Sequence, residues 1–199
     1  RLMGTGSVDV GRGRVESATN YPLIPTLREV NLPPGVKDVT MSKRGIMLFI
    51  GATGAGKSTS MAALLGYRNE NSYGHIITIE DPIEFVHENK QCIITQRQVG
   101  VHTGSFKTAL RAALREDPDI VLVGELRDLE TVSIAIETAE TGHLVFATLH
   151  TTSAAGTIDR LIDQFPPDRQ EQVRAMLSES LRGVISQTLC KKVGGGRVA

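Results

Sequence analysis

Ile46-Met47-Leu48-Phe49-Ile50-Gly51-Ala52-Thr53-Gly54-Ala55-Gly56-Lys57-Ser58-Thr59 decides the fold. The unbroken apolar run at 46–50 reads as a strand buried on both faces. It passes at once into a glycine-rich loop and then into a helix from about residue 58 to Gly66. The loop fits the spacing G-x-x-x-x-G-K-[ST]. Glycines at those places let backbone N–H groups turn inward on phosphate oxygens, and the following helix adds its positive end. Lys57 can reach the β- and γ-phosphates and the Ser58 hydroxyl can ligate Mg²⁺. The candidate phosphate-binding residues are therefore Gly51, Thr53, Gly54, Ala55, Gly56, Lys57, Ser58 and Thr59. No Asn-Lys-x-Asp guanine-reading motif occurs, since Asn89-Lys90 runs into Gln91-Cys92, so ATP is expected rather than GTP.

Outward from the loop, short apolar strands alternate with helical periods. His75-Ile76-Ile77-Thr78-Ile79, Ile120-Val121-Leu122-Val123 and Leu144-Val145-Phe146-Ala147-Thr148 read as strands, with Cys92-Ile93-Ile94 as a further one. Phe106, Ala109, Leu110, Ala113 and Leu114 recur at helical spacing. A helix is expected from about Leu129 to Gly142. Another carries Ala154, Ile158, Leu161, Ile162 and Phe165, and a last long one carries Val173, Met176, Leu177, Leu181, Val184 and Ile185. Thr26 caps an expected short helix through Asn31, and Pro33-Pro34 opens a turn toward Met41. The alternation predicts an α/β fold with a mostly parallel sheet covered on both faces.

In such a sheet the strand ends beside the phosphate loop are where ligands sit. Glu80-Asp81-Pro82-Ile83-Glu84 closes one strand and Gly124-Glu125 another. Glycine stands where a metal-side aspartate is usual, so Glu125 is expected on the Mg²⁺ side. Glu84 is the candidate for deprotonating an attacking water. His143 and His150 flank the strand 144–148 and are candidates for sensing the γ-phosphate or coupling to a neighbour. Arg111, Arg115 and Arg127 either neutralise phosphoryl charge or bridge nearby acids. His75, His87 and His102 are given no role.

The 199 residues carry 22 basic and 22 acidic side chains, a formal net charge of zero. That balance gives no support for general binding to nucleic acid or anionic membranes. The longest apolar run, 46–50, falls far short of the ~20 residues that cross a bilayer. Cys92 and Cys190 are too far apart for a zinc cluster or disulfide framework, and a reducing, intracellular setting is expected. Residues 1–20 have no usable period and, with Arg1 rather than Met at the start, read as a linker or as pieces of a missing domain.

Four blocks now stand in order: GATGAGKST at 51–59, TIEDPIEFVHENK at 78–90, LREDPDIVLVGELRD at 114–128 and TGHLVFATLHT at 141–151. They resemble the Walker A, Asp box, Walker B and His box of the secretion ATPase superfamily, in the order of the type IV pilus retraction ATPases, the PilT/PilU group. The resemblance implies a RecA-like ATPase domain over residues 21–199, after remnants of a PAS-like N-terminal domain in residues 1–20. Gly11-Arg12-Gly13-Arg14-Val15 is similar to that domain's end and Arg1-Leu2-Met3 to a scrap of its first helix.

It implies a cytoplasmic homo-hexamer, peripheral to the inner membrane without inserting in it. The ring would bind ATP and Mg²⁺, act on the pilus platform protein, and drive pilin disassembly and twitching motility, with a paralogous retraction ATPase as a further partner. Carried over, Lys57 and Ser58 hold phosphates and Mg²⁺, Glu125 is the Walker B acid, Glu84 the catalytic base, His143 lies near the γ-phosphate and His150 supports it. An accessory PilU-type ring, or an assembly or type II secretion ATPase without its zinc module, is the alternative.

Overall fold

The structure, a computed structural model, describes residues 8–10, 13–15, 21–30, 32–151, 153–191, 193–195 and 197–198. The readings of Arg1-Leu2-Met3 and of Gly11-Arg12 lie outside these. A hairpin pairs β1 (Val8–Val10) with β2 (Gly13–Val15). Then follow α1 (Gly35–Thr40), β3 (Gly45–Ile50), α2 (Lys57–Asn71), β4 (Gly74–Glu80), β5 (Cys92–Gln98), α3 (Phe106–Ala113) and β6 (Ile120–Val123). The chain continues through α4 (Leu129–Glu140), β7 (Leu144–Leu149), α5 (Ala154–Ile162), α6 (Pro167–Ser180), β8 (Leu181–Ser186), β9 (Cys190–Lys191) and β10 (Arg197–Val198).

Six strands form one sheet in the order β5-β4-β6-β7-β3-β8. All of its pairings are parallel. β3 is buried at every residue, which is why its sequence is a continuous apolar run instead of an alternation. Successive side chains still face opposite ways. Ile46, Leu48 and Ile50 join the core beneath α3, α4, α5 and α6, with Leu110, Val132, Leu161 and Leu177. Met47 and Phe49 face the other side, where Met61, Leu64 and Leu65 of α2 close the second core. There Phe49 meets Phe146 of β7 edge to face, with ring centroids 5.9 Å apart. Such a pair gains about 0.5–1.5 kcal/mol beyond its buried area.

Helix starts follow local chemistry. Ser105, Asp128 and Ser153 each accept a bond from a first-turn N–H of α3, α4 and α5, and α6 opens on Pro167 at a place where proline costs nothing. Helix ends were less legible. The last helix stops at Ser180, and Leu181–Ser186 is a strand, not a continuation. Leu181, Val184 and Ile185 prolong the helical period of α6, so spacing alone points the wrong way. Gly183 weakens a continuing helix, the β-branched pair favours extended chain, and β3 supplies a partner edge. α2 runs on through Gly66 to Asn71 because its last turns are tied down. The buried Arg68 donates to Thr40 O at 3.2 Å, and Asn69 Nδ2 donates to Glu88 O at 2.8 Å. The expected helix after Thr26 is a turn over 27–30 held by the Glu29 carboxylate, with Asn31 outside the described residues. Among the described residues no helix is long and apolar enough to cross a membrane.

Candidate active site

Parallel pairing brings the C-terminal ends of β3, β4, β6 and β7 to one edge, so each strand hands its next residues to a common cavity. The cavity measures about 490 Å³. Thr53, Gly54, Gly56, Lys57, Ser58 and Thr59 line one side, and Glu84, Glu125, Arg127 and His150 also face it. Gly51 and Ala55 are buried behind the loop and do not line it. Gly51 has φ 145°, and a Cβ there would stand 2.5 Å from the carbonyl of Gln187, just past β8. No other residue fits. Gln187 N donates to Ile50 O at 2.9 Å and its Nε2 donates to Ser60 Oγ at 2.8 Å, so the end of β8 braces the loop from behind.

Lys57 is buried, and its ammonium donates to the carbonyls of Gly51 at 2.8 Å and Ala52 at 3.1 Å. Burial pulls its pKa down, while the carboxylates of Glu125 and Glu84 act to hold it up. One cation thus stands between the two candidate acids. Ser58 Oγ donates to Glu84 Oε1 at 2.7 Å. Glu125 accepts from the Arg127 guanidinium, and His150 Nε2 lies 3.3 Å from its other oxygen. Arg127 also reaches Asp81 at 3.7 Å. Arg127 therefore bridges two acids at the strand ends, Glu125 and Asp81. Arg111 pairs instead with Glu130 across to α4.

The glycine before Glu125 has a steric reason. Its N–H donates to Ile79 O at 2.8 Å, and a Cβ would press to 3.1 Å from that oxygen and 3.3 Å from Glu80 Cα. A side chain there would need the β4 backbone to give by a few tenths of an ångström, which favours glycine at 124 with the acid one residue on.

His143 is corrected. It precedes β7, beside Gly45 at the start of β3, and its Nδ1 contacts Thr138 O at 3.2 Å. In a parallel sheet that is the opposite edge, about 20 Å from the phosphate loop at strand rise. Within one chain the structure brings His150 to the cavity and not His143.

Oxygen donors from Ser58 and Glu125, beside a loop shaped for phosphates, suit Mg²⁺. Among the described residues no cluster of three or more His, Cys, Asp or Glu could hold a metal alone. This is compatible with Mg²⁺, which usually takes one or two protein oxygens and completes its shell with substrate phosphates and water.

His87, given no role above, lines the cavity together with Met61, Ala62 and Leu65 of α2. It is buried, and its Nδ1 has no hydrogen-bond partner. Burial first, and the Lys90 charge second, push its pKa down to about 4. The folded chain therefore keeps this imidazole neutral while the unfolded chain takes up a proton below about 6.5. Stability from this group is complete above that pH and falls by roughly 3 kcal/mol as pH drops toward 4. His87→Phe, compared with the parent by urea unfolding at pH 7 and 4.5, should lose the smaller amount of stability between the two. Equal losses would refute the assignment.

The model for the Type II/IV secretion system protein family matches residues 33–195. The chain belongs to this family. Within it, the chain is 61% identical over 174 residues to the Pseudomonas aeruginosa type IV pilus retraction ATPase PilT, covering 87% of this chain and 51% of that protein. It is 52% identical over 166 residues to the same organism's type IV pilus ATPase PilU, covering 83% of this chain and 44% of the relative. The crystal structure of the pilus retraction motor PilT with bound ADP superposes with a TM-score of 0.88 at 55% identity, over 89% of this chain and 52% of that one. The resemblance to the PilT/PilU group is thereby borne out, as is the α/β parallel-sheet fold. The chain spans about half the length of the curated relatives it matches.

Proposed function

We propose that residues 21–199 are the ATP-hydrolysing domain of a hexameric ring motor that powers type IV pilus retraction and twitching motility. In this reading the ring works in the cytoplasm against an inner-membrane platform protein. The observation that carries the reading is the meeting of Lys57, Ser58, Glu84, Glu125 and His150 on one cavity at the strand ends. The fold around it is shared with a retraction motor that binds ADP.

Lys57 releases its loop carbonyls to neutralise the β- and γ-phosphates, and the loop N–H groups hold the remaining oxygens. Ser58 and Glu125 would hold Mg²⁺, which supplies charge neutralisation on the phosphates when bound. Glu84 gives up the Ser58 hydroxyl and accepts a proton from the attacking water. His150 and Arg127, both on Glu125, orient that carboxylate. His143 takes no part in hydrolysis on its own chain.

The test is ATP turnover per subunit against protein concentration, with Mg²⁺ and the complete protein. A steep rise to a plateau is expected, because ring sites are completed between subunits. Turnover per subunit that is constant at every concentration would refute the shared site. The PilU relative supports a second reading, an accessory ring: turnover near zero throughout, with ATP still bound, would favour it.

A further inference from the structure

Glu84 lies in residues 81–91, a stretch with no helix or strand between β4 and β5. Its backbone nevertheless has partners, and they are side chains of the edge strand β5. Ile83 N donates to Gln98 Oε1 at 3.2 Å. His87 N donates to Gln96 Oε1 at 2.7 Å, and Gln96 Nε2 donates to Phe85 O at 2.9 Å. The same Nε2 reaches Glu80 Oε1 at 3.2 Å.

Residues 83, 85 and 87 are alternate, and they are the inward ones: Ile83 and Phe85 are half-buried and His87 buried, while Glu84 and Val86 are exposed. Gln96 and Gln98 are themselves two apart on a strand and so share a face. A glutamine amide carries the donor and the acceptor of a peptide group. The two side chains therefore take the place of a neighbouring strand, and the segment runs beside them with Glu84 on the phosphate-loop side, where it meets Ser58.

We propose that Gln96, assisted by Gln98, is the positioning residue that places Glu84 for proton transfer. The inference rests on Glu84 being the base. Gln96 hydrogen-bonds neither the phosphate loop nor the candidate metal ligands, so it acts through the segment it holds and through Glu80 at the end of β4. A shift of about 1 Å in a reacting group can cost on the order of a hundredfold in rate.

The test uses the complete protein with ATP and Mg²⁺. Gln96→Met keeps the length and removes all three bonds, those to His87 N, Phe85 O and Glu80 Oε1. It should lower kcat about 10- to 100-fold with ATP affinity changed by less than about threefold, the pattern of a lost transition-state interaction. Hydrogen exchange at the amides of Ile83 and His87 should quicken in the same variant. Gln98→Met, which frees only the Ile83 N–H, should fall between and serves if the Gln96 variant folds poorly. On a Glu84→Gln background, Gln96→Met should cost nothing further.

A normal kcat in Gln96→Met beside an inactive Glu84→Gln would overturn the positioning role and leave the base assignment standing. Full activity in Glu84→Gln would overturn both. An additive further loss in the double variant, or unchanged amide exchange in Gln96→Met, would also overturn the positioning role.

Discussion

Glu84→Gln is expected to lower ATP turnover about a thousandfold while ATP affinity stays within a factor of about three. The amide keeps the size of the carboxylate and can still accept the Ser58 hydroxyl, so the resting contact at 2.7 Å survives. It cannot take a proton from water. Binding should not suffer, because removing a negative charge beside an incoming triphosphate relieves repulsion. Lys57 loses one of the two carboxylates that favour its charged form, but Glu125 remains. Single-turnover hydrolysis alongside equilibrium binding separates the two effects. Hydrolysis at the parent rate would remove Glu84 as the base, whatever else the cavity does.

Lys57→Ala should weaken ATP binding at least a hundredfold. The ammonium is among the few buried charges in the chain, and backbone carbonyls of the loop hold it in place. Charge-assisted bonds of this kind contribute about 1.5–3 kcal/mol each, and about 2.7 kcal/mol corresponds to a hundredfold in affinity. The loss is compounded because Glu84 and Glu125 would then face the phosphates with the central cation gone. Isothermal titration with ATP checks it directly. Unchanged affinity would refute the phosphate-loop assignment.

Why some of this was legible follows from the range of each signal. The strand-loop-helix at 46–59 is local: apolar run, glycines, lysine and hydroxyl lie in one stretch, and nothing distant can change their meaning. The parallel sheet followed from repeated alternation. β8 escaped because Val184 and Ile185 fall on the helical period of α6, and only the open edge of β3 decides between helix and strand. His143 and His150 look alike in the sequence, but a side chain just before a parallel strand belongs to the far edge and one just after it to the near edge. The hold of Gln96 and Gln98 on residues 83–87 leaves no trace in periodicity, since side-chain-to-backbone bonds obey no repeat. Only the run of polar residues on an edge strand hinted that β5 faces something other than a core.

The strand order has a bearing on synthesis. β3 is made early, yet its neighbours are β7 and β8, which lie roughly a hundred or more residues downstream. β4, β5 and β6 can pair with one another as they leave the ribosome, whereas the wholly buried β3 must wait, its edges bare. The brace on Gly51 comes later still, with Gln187. A nascent chain therefore displays its complete phosphate motif long before it can grip a nucleotide, and during that interval Ile46–Ile50 is the segment that most needs shielding from other chains.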